Sequence, residues 1–153
     1  MDMLQVPREL ETGSSTVSLQ SAAAPHQHAA GRVFLEWLRE GIHTHRLVVN
    51  DSKAKVHTVN GTFFLVTPGI FQRYISEQPE EVRADPKSDA WRHVQRQFEK
   101  LAVHMKKTNG QNIWICRIRG TRKASSLNGY LLSNAKTISS ALPADNPFLT
   151  LMQ

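Results

Sequence analysis

Cationic side chains that could bind phosphate are concentrated in one part of this sequence. Ten lysines and arginines lie between residues 87 and 123, where Asp89 and Glu99 are the only acidic residues. The net charge of this segment is therefore +8, whereas the whole chain carries +6. Guanidinium and ammonium groups pair with phosphate oxygens, so the segment favours a polyanion, nucleic acid before anionic lipid. We predict nucleic-acid contacts from Arg92, Arg96, Lys100, Lys106, Lys107, Arg117, Arg119, Arg122 and Lys123.

Residues that perform catalysis in other proteins do not form a recognisable set here. No glycine-rich loop precedes a Lys-Ser or Lys-Thr pair, so ATP hydrolysis is not supported. Zinc ligands follow characteristic spacings, and these are not met by His43, His45, His57, His93 and His104. Cys116, the single cysteine, is interpreted as a small buried apolar residue. The sequence therefore predicts a domain that is not an enzyme and that uses no metal and no cofactor.

Length and composition favour one soluble domain. A chain of 153 residues can bury one hydrophobic core. A single cysteine forms no internal disulfide, and no signal-peptide pattern opens the chain. No apolar run reaches the roughly 18 residues of a membrane span. We therefore expect a cytoplasmic protein without membrane contact. Small and polar residues fill residues 1–28, which we expect to be a disordered arm or linker before a domain at 29–142 and a C-terminal tail at 143–153.

The pattern after residue 28 predicts a helix followed by a β-hairpin. The first helix, which should end near residue 43, is indicated by apolar residues at helical spacing, namely Phe34, Trp37, Leu38 and Ile42. Residues 46–50 are compatible with a short strand. Two β-rich runs then flank Asn60-Gly61, a dipeptide that favours the tight turn of a hairpin.

Two further helices are predicted between residues 67 and 107. Thr67-Pro68 is typical of a helix start, with threonine as the cap and proline as the first helical residue. The third helix, expected over residues 89–107, has an apolar stripe of Trp91, Val94, Phe98, Leu101 and Met105. Its opposite side carries Arg92, Arg96, Lys100 and Lys107. A charged outer face is often only solvated, but three of these cations follow i, i+4 spacing and Glu99 is the only acid beside them.

The residues after the third helix predict two strands joined by a basic loop. Trp114, Cys116 and Ile118 alternate with Ile115, Arg117 and Arg119, so one face of the strand packs inward while the other carries charge outward. GTRKASS is the predicted loop and LNGYLL the returning strand. The order of elements predicts an α+β, winged-helix-like domain with three helices, a wing hairpin and an additional β-hairpin after the first helix. In such a domain the third helix and the wing contact DNA.

Several segments of the chain resemble a known family. In order along residues 32–151 they are FLEWLREGI, RLVVN, VHTVNGTFFLVTPGIFQRY, WRHVQRQFEKLAVHMKKTNGQNIWICRIRG, LNGYLL and LPADNPFLTL. They resemble the C-terminal domain of MobH-class conjugative relaxases, the TraI-like nickase or helicase proteins of integrating conjugative elements and some plasmids. The resemblance implies a winged-helix-like accessory domain of a protein that processes DNA during horizontal gene transfer.

The resemblance also implies that the chemistry of such a protein lies elsewhere. Relaxases of this kind carry their metal-dependent chemistry in a separate N-terminal HD-type domain, and this sequence has no His-Asp doublet. We therefore expect the chain to be either a C-terminal fragment of a longer relaxase or a freestanding relative of that domain.

Two functions of different classes remain open at this point. The first is DNA binding, to duplex or single strands, with little sequence reading because Gln97 is one of few outward groups that could pair with adenine. The second is a protein-interaction or oligomerisation role, with other conjugation proteins or with a second copy. Its binding strand or lid would use the apolar residues of the tail, Phe148, Leu149, Leu151 and Met152.

Overall fold

The chain folds into helices packed on an antiparallel sheet. The computed structural model describes residues 28–79, 90–120 and 125–152. Its helices are α1 (Ala29–His43), α2 (Gly69–Ser76) and α3 (Ala90–Lys100). Its strands are β1 (Val56–Val59), β2 (Thr62–Val66), β3 (Trp114–Ile118), β4 (Ser125–Leu131) and β5 (Leu149–Met152). They lie in the order β1-β2-β4-β3-β5, and each neighbouring pair is antiparallel. The α+β class predicted from the sequence is confirmed.

The first helix and the hairpin after it form as the sequence predicts. Val59 pairs with Thr62, so Asn60 and Gly61 make a two-residue turn with φ of 52° and 76°. This turn requires positive φ at both positions, which asparagine and glycine tolerate best. The strand considered for residues 46–50 does not form. Val49 of this segment makes only an isolated parallel bridge to Val56.

The helices cover one face of the sheet through an aromatic cluster. Its rings belong to Phe34 of α1, Phe71 of α2, Phe98 of α3 and Tyr130 of β4, and contacting pairs have centroids 4.7–5.9 Å apart. All four side chains are buried, and edge-to-face pairs of this kind add to the energy of apolar burial. α1 also crosses α3 closely, since a Cβ on Gly31 would lie 2.6 Å from the carbonyl oxygen of Gln97. α3 is therefore held by two helices and by the sheet.

The other face of the sheet curls around a second cluster. β1 and β5, at the two edges of the sheet, come into contact with each other. The buried members of this cluster are Val59, Phe64, Val66, Cys116 and Leu131, with Trp114, Leu127, Leu149 and Leu151 partly buried against them. Trp114 and Cys116 thus face inward from β3, as their alternation predicts.

The C-terminal segment predicted as a tail, residues 143–153, contributes a strand to this sheet. β5 pairs with β3, and the segment before it is fixed by Asn146. The Asn146 backbone N–H donates to the carbonyl of Thr58 at 2.8 Å, and its side-chain Nδ2 donates to Nδ1 of His57 at 3.1 Å. Nε2 of His57 in turn donates to the carbonyl of Ala54 at 3.0 Å. Phe148 remains well exposed, whereas Leu149, Leu151 and Met152 are partly covered.

We expect the buried His57 to make the stability of the fold depend on pH. Burial is the main cause that lowers its pKa below 6.5, the value expected in the unfolded chain. Its contribution is therefore complete above about pH 6.5 and decreases as the pH falls from there through the folded-state pKa, by up to about 1.4 kcal/mol per pH unit. Urea unfolding of the wild type and of His57→Gln between about pH 7.5 and 5 measures this slope. The His57→Gln variant should lose this dependence of stability on pH, whereas the control His43→Gln, at an exposed position, should keep it. Equal slopes for all three chains would show that His57 does not cause the dependence.

The third helix is shorter than predicted. α3 ends at Lys100, and Ala102 adopts a left-handed conformation with φ of 58°. The chain then runs beside the end of β4, where the Met105 N–H donates to the carbonyl of Leu131 at 2.7 Å. β3 does not reach this part of β4, so residues 103–105 satisfy backbone groups there instead of continuing the helix. The prediction that placed Met105 on the buried stripe and Lys107 on the helix is therefore wrong.

The start of α2 also differs from the prediction. The helix begins at Gly69, one residue after Pro68, and no side chain caps its first turn. The Thr67 hydroxyl, predicted as the cap, instead donates to Oε1 of Gln95 on α3 at 3.2 Å. This residue therefore joins the α2 start to α3.

Candidate nucleic-acid interface

The orientation of α3 is fixed by a short chain of polar contacts to the sheet. Tyr130 of β4 donates its hydroxyl proton to Oε2 of Glu99 at 2.5 Å and accepts from Nε2 of Gln95 at 2.8 Å. Burial, and after it the hydrogen bond to Glu99, raises the pKa of Tyr130, so the phenol remains a donor. Because Glu99 and Gln95 are held inward, Arg92, Arg96 and Lys100 project from the rest of the helix surface.

A groove separates α3 from the strands β3 and β4, and we call it the α3 groove. It consists of two adjoining cavities of about 400 and 450 Å³ that share Ile113 and Asn128 as lining residues. Arg92 and Arg96 line the first cavity, and Lys107 lines the second. The groove therefore carries cations from α3 on one side and from the segment before β3 on the other, with Asn128 between them.

The α3 groove continues onto an uncovered part of the sheet. Ile115 of β3 lines the second cavity, is 41% exposed and pairs with Asn128 of β4. Arg117 lies two residues further along β3, hence on the same face and about 7 Å from Ile115. Its partners are Ser126 of β4 and Thr150 of β5. We call this surface, formed by the outward residues of β3, β4 and β5, the open sheet face.

The nine predicted contact residues fall into three groups. Arg92, Arg96, Lys100, Lys107 and Arg117 lie on or beside the α3 groove and the open sheet face. Two more are exposed: Lys106 lies in the segment between α3 and β3, and Arg119 directly follows β3. Arg122 and Lys123, in the predicted wing loop, lie outside the described residues.

Most of these cations have no acidic partner in the part of the chain that the structure describes. Arg96, Lys100, Arg117 and Arg119 are exposed and form no ion pair with another described residue. Arg92 and Lys107 lie over the rings of Trp91 and Trp114, at 5.1 and 5.6 Å from the ring centroids. Exposed cations that are not paired with a carboxylate are available to bind an anionic ligand.

Among the described residues, one acidic side chain lies within this cationic surface and could compete with a ligand for its cations. Glu99 lines the α3 groove, although one of its oxygens accepts the Tyr130 proton. Glu77 does not compete, because it pairs with Arg46 and Arg73 at 2.5 and 2.8 Å. The acidic loop predicted after it falls largely on residues 80–89, outside the described residues.

Sequence reasoning missed the polar and apolar groups that line the surface between the cations. Asn128, Gln95 and Ile115 belong to it because β3 and β4 pair in one particular register. The alternation of LNGYLL indicates which residues share a face of β4, but not which of them lies opposite Ile115. The sequence carried no signal for that register.

The structure offers little for catalysis within the described residues. Burial raises the pKa of the Cys116 thiol to about 12, so this cysteine stays protonated and is a poor nucleophile. No three side chains among the described histidines, cysteines, aspartates and glutamates are grouped to hold a metal ion. The described helices are also too short or too polar to cross a membrane.

These features define a small α+β domain in which cations of α3, of the segment before β3 and of β3 itself border one groove and one sheet face. The sequence profile of the family described as "Putative conjugal transfer nickase/helicase TraI C-term" matches residues 29–151. The chain belongs to this family, and it corresponds to the C-terminal part of a conjugal transfer nickase or helicase.

One solved structure supports the same fold. The chain is similar to the C-terminal domain of Salmonella enterica protein STY4665, with 25% sequence identity and a TM-score of 0.68. The match covers 82% of this chain and 98% of that domain. No curated protein matches the sequence.

Proposed function

We propose that this chain is a non-catalytic DNA-binding accessory domain of a cytoplasmic conjugation protein of the MobH relaxase class. In this proposal the domain works in the manner of a winged helix. α3 and the hairpin of β3 and β4 meet DNA together, and their cations hold its phosphates. The family supports a role in conjugation, and the charge of the surface supports the nature of the ligand.

The observation that carries the proposal is the continuity of the α3 groove with the open sheet face. Arg96 and Arg117 are far apart in sequence, yet both belong to a surface connected through Ile113, Ile115 and Asn128. A cationic groove lined with polar and apolar groups suits a nucleic acid better than a simple anion, because a strand presents phosphates and bases along its length.

Reversing three of these charges is expected to weaken DNA binding roughly 100-fold at about 0.1 M salt. The variant is Arg96→Glu with Lys100→Glu and Arg119→Glu, all exposed positions at which the fold should tolerate the change. For each phosphate that the variant no longer neutralises, the slope of log K against log salt should also become shallower by about 0.7 to 0.9. Fluorescence anisotropy of labelled single-stranded and duplex oligonucleotides across a salt series measures both quantities.

A matched control separates a local surface from net charge. Arg39→Glu with Lys53→Glu and Lys136→Glu removes three exposed cations of α1, the loop before β1 and the turn after β4. This variant has the same net charge as the first but should retain most of the affinity. Equal decreases in affinity for both variants would show that binding follows total charge, and unchanged binding in the first would reject the proposed function.

A protein-interaction role is the second candidate, and one feature favours it. A groove of about 580 Å³ lies between the end of α1 and residues 139–143, lined mainly by apolar residues, namely Ile42, Leu47, Val48, Val49, Ala141 and Pro143, and also by His43, His45 and Ser139. Val48 is 55% exposed there. This apolar groove shares no lining residue with the α3 groove, so the charge-reversal variant leaves it intact and the two roles can be measured separately.

A further inference from the structure

Phe148 is an aromatic side chain exposed to solvent beside Arg119 and Gly120, where the loop between β3 and β4 begins. It is 59% exposed, whereas the other aromatic residues that the structure describes are buried or half-buried. None of the aromatic pairs in the described chain includes it, and it belongs to neither apolar cluster. Its exposure therefore has no explanation in the packing of the domain.

The backbone of Phe148 is held by two hydrogen bonds, one of them to Arg119. Its carbonyl accepts from the backbone N–H of Arg119 at 2.7 Å, and its own N–H donates to Oδ1 of Asn146 at 2.9 Å. Asn146 is itself buried and bound to His57 and Thr58. The ring lies beside Gly120, so that a Cβ at this glycine would come within 3.6 Å of it.

We propose that Phe148 stacks on an unpaired base of single-stranded DNA while Arg117 and Arg119 hold the adjoining phosphates. This inference rests on the proposed function and adds the form of DNA that the domain prefers. An exposed aromatic ring on a fixed backbone, next to exposed guanidinium groups, is the arrangement with which proteins hold single strands.

The open sheet face is better suited to single-stranded than to duplex DNA. Its exposed apolar residue Ile115 pairs with Met152 of β5 on one side and with Asn128 of β4 on the other, so it offers contact area suited to bases. A duplex hides the faces of its bases within the stack, and it would bring mainly phosphates to this surface. Only unpaired bases can use both Phe148 and the apolar part of the face.

Phe148→Ala should weaken binding of a thymidine 20-mer about 5- to 150-fold and duplex binding less than about twofold. Phe148→Leu retains apolar area without the ring and should lose most of the same affinity, whereas Phe148→Trp should retain or increase it. Because the side chain is exposed, the melting temperatures of all three variants should equal that of the wild type. Photo-crosslinking of the 20-mer carrying 5-iododeoxyuridine should mark Phe148 in the wild type.

The outcomes distinguish this inference from the proposed function. If the wild type binds neither single-stranded nor duplex DNA, the proposed function fails and the inference fails with it. If the wild type binds both forms through the cations, but Phe148→Ala binds the 20-mer as well as the wild type does, only the inference is overturned. A crosslink that maps away from Phe148 overturns it as well.

Discussion

Gly129→Ala is expected to lower the free energy of unfolding by about 3 kcal/mol, and the melting temperature by about 10 °C, although it adds a single methyl group. A Cβ at Gly129 would lie 2.2 Å from the carbonyl oxygen of Leu65 and 2.7 Å from Cζ of Phe64. The first of these atoms belongs to the backbone of β2, which pairs with β4 at this point. The two strands would have to separate at this point.

The control for this prediction is Gly69→Ala. A Cβ at Gly69 would also come within 3.0 Å of other atoms, but these are the far carbons of the Lys55 side chain, which can move away. Gly69 opens α2, where alanine is the better helix former, so the variant should match or slightly exceed the wild type in stability. Thermal and urea unfolding compare the two variants, and a Gly129→Ala protein as stable as Gly69→Ala would show that β2 and β4 are not so constrained.

Local patterns predicted most of the fold, because they depend on residues that are neighbours in sequence. The Asn60-Gly61 turn and the alternation around Cys116 were predicted correctly, since both follow from backbone geometry alone. The end of α3 was not, because residues 103–105 continue the helical pattern but pair with β4 instead. A tertiary contact there outweighs a helical preference worth a fraction of a kcal/mol per residue.

The candidate site, too, was predictable from the sequence only in part. The cationic residue types and the hairpin that carries Arg117 are visible in the sequence, and the charge of residues 87–123 indicates their ligand. The α3 groove is not visible, because it depends on the pairing of Ile115 with Asn128 and on the position of α3 over Tyr130. The position of Phe148 beside Arg119 is likewise a result of β5 joining the sheet, which polar and proline-containing residues 143–147 do not suggest.

Truncation after Leu142 is expected to abolish cooperative folding rather than to remove a dispensable tail. It deletes β5 and with it the apolar packing of Leu149 and Leu151 in the second cluster. It also removes the hydrogen bonds of Asn146 to Thr58 and His57, and that of Asp145 to the Gly61 N–H. At about 1 kcal/mol for each hydrogen bond and about 1 to 2 for each leucine, the destabilisation approaches a typical total stability of about 5 to 15 kcal/mol.

The truncated chain should therefore show a broad thermal transition by circular dichroism and should associate in solution, because the edge of β3 is left unpaired. Leu149→Ala with Leu151→Ala in the full chain is the matched comparison. It removes the apolar packing but keeps the backbone ladder, so it should unfold cooperatively at a lower temperature without associating. A truncated chain that unfolds sharply near the wild-type temperature would instead establish residues 143–153 as a separable tail. The tail would then be free to serve as the binding strand of a protein-interaction domain, and the single-strand platform built around Phe148 would lose its fixed support.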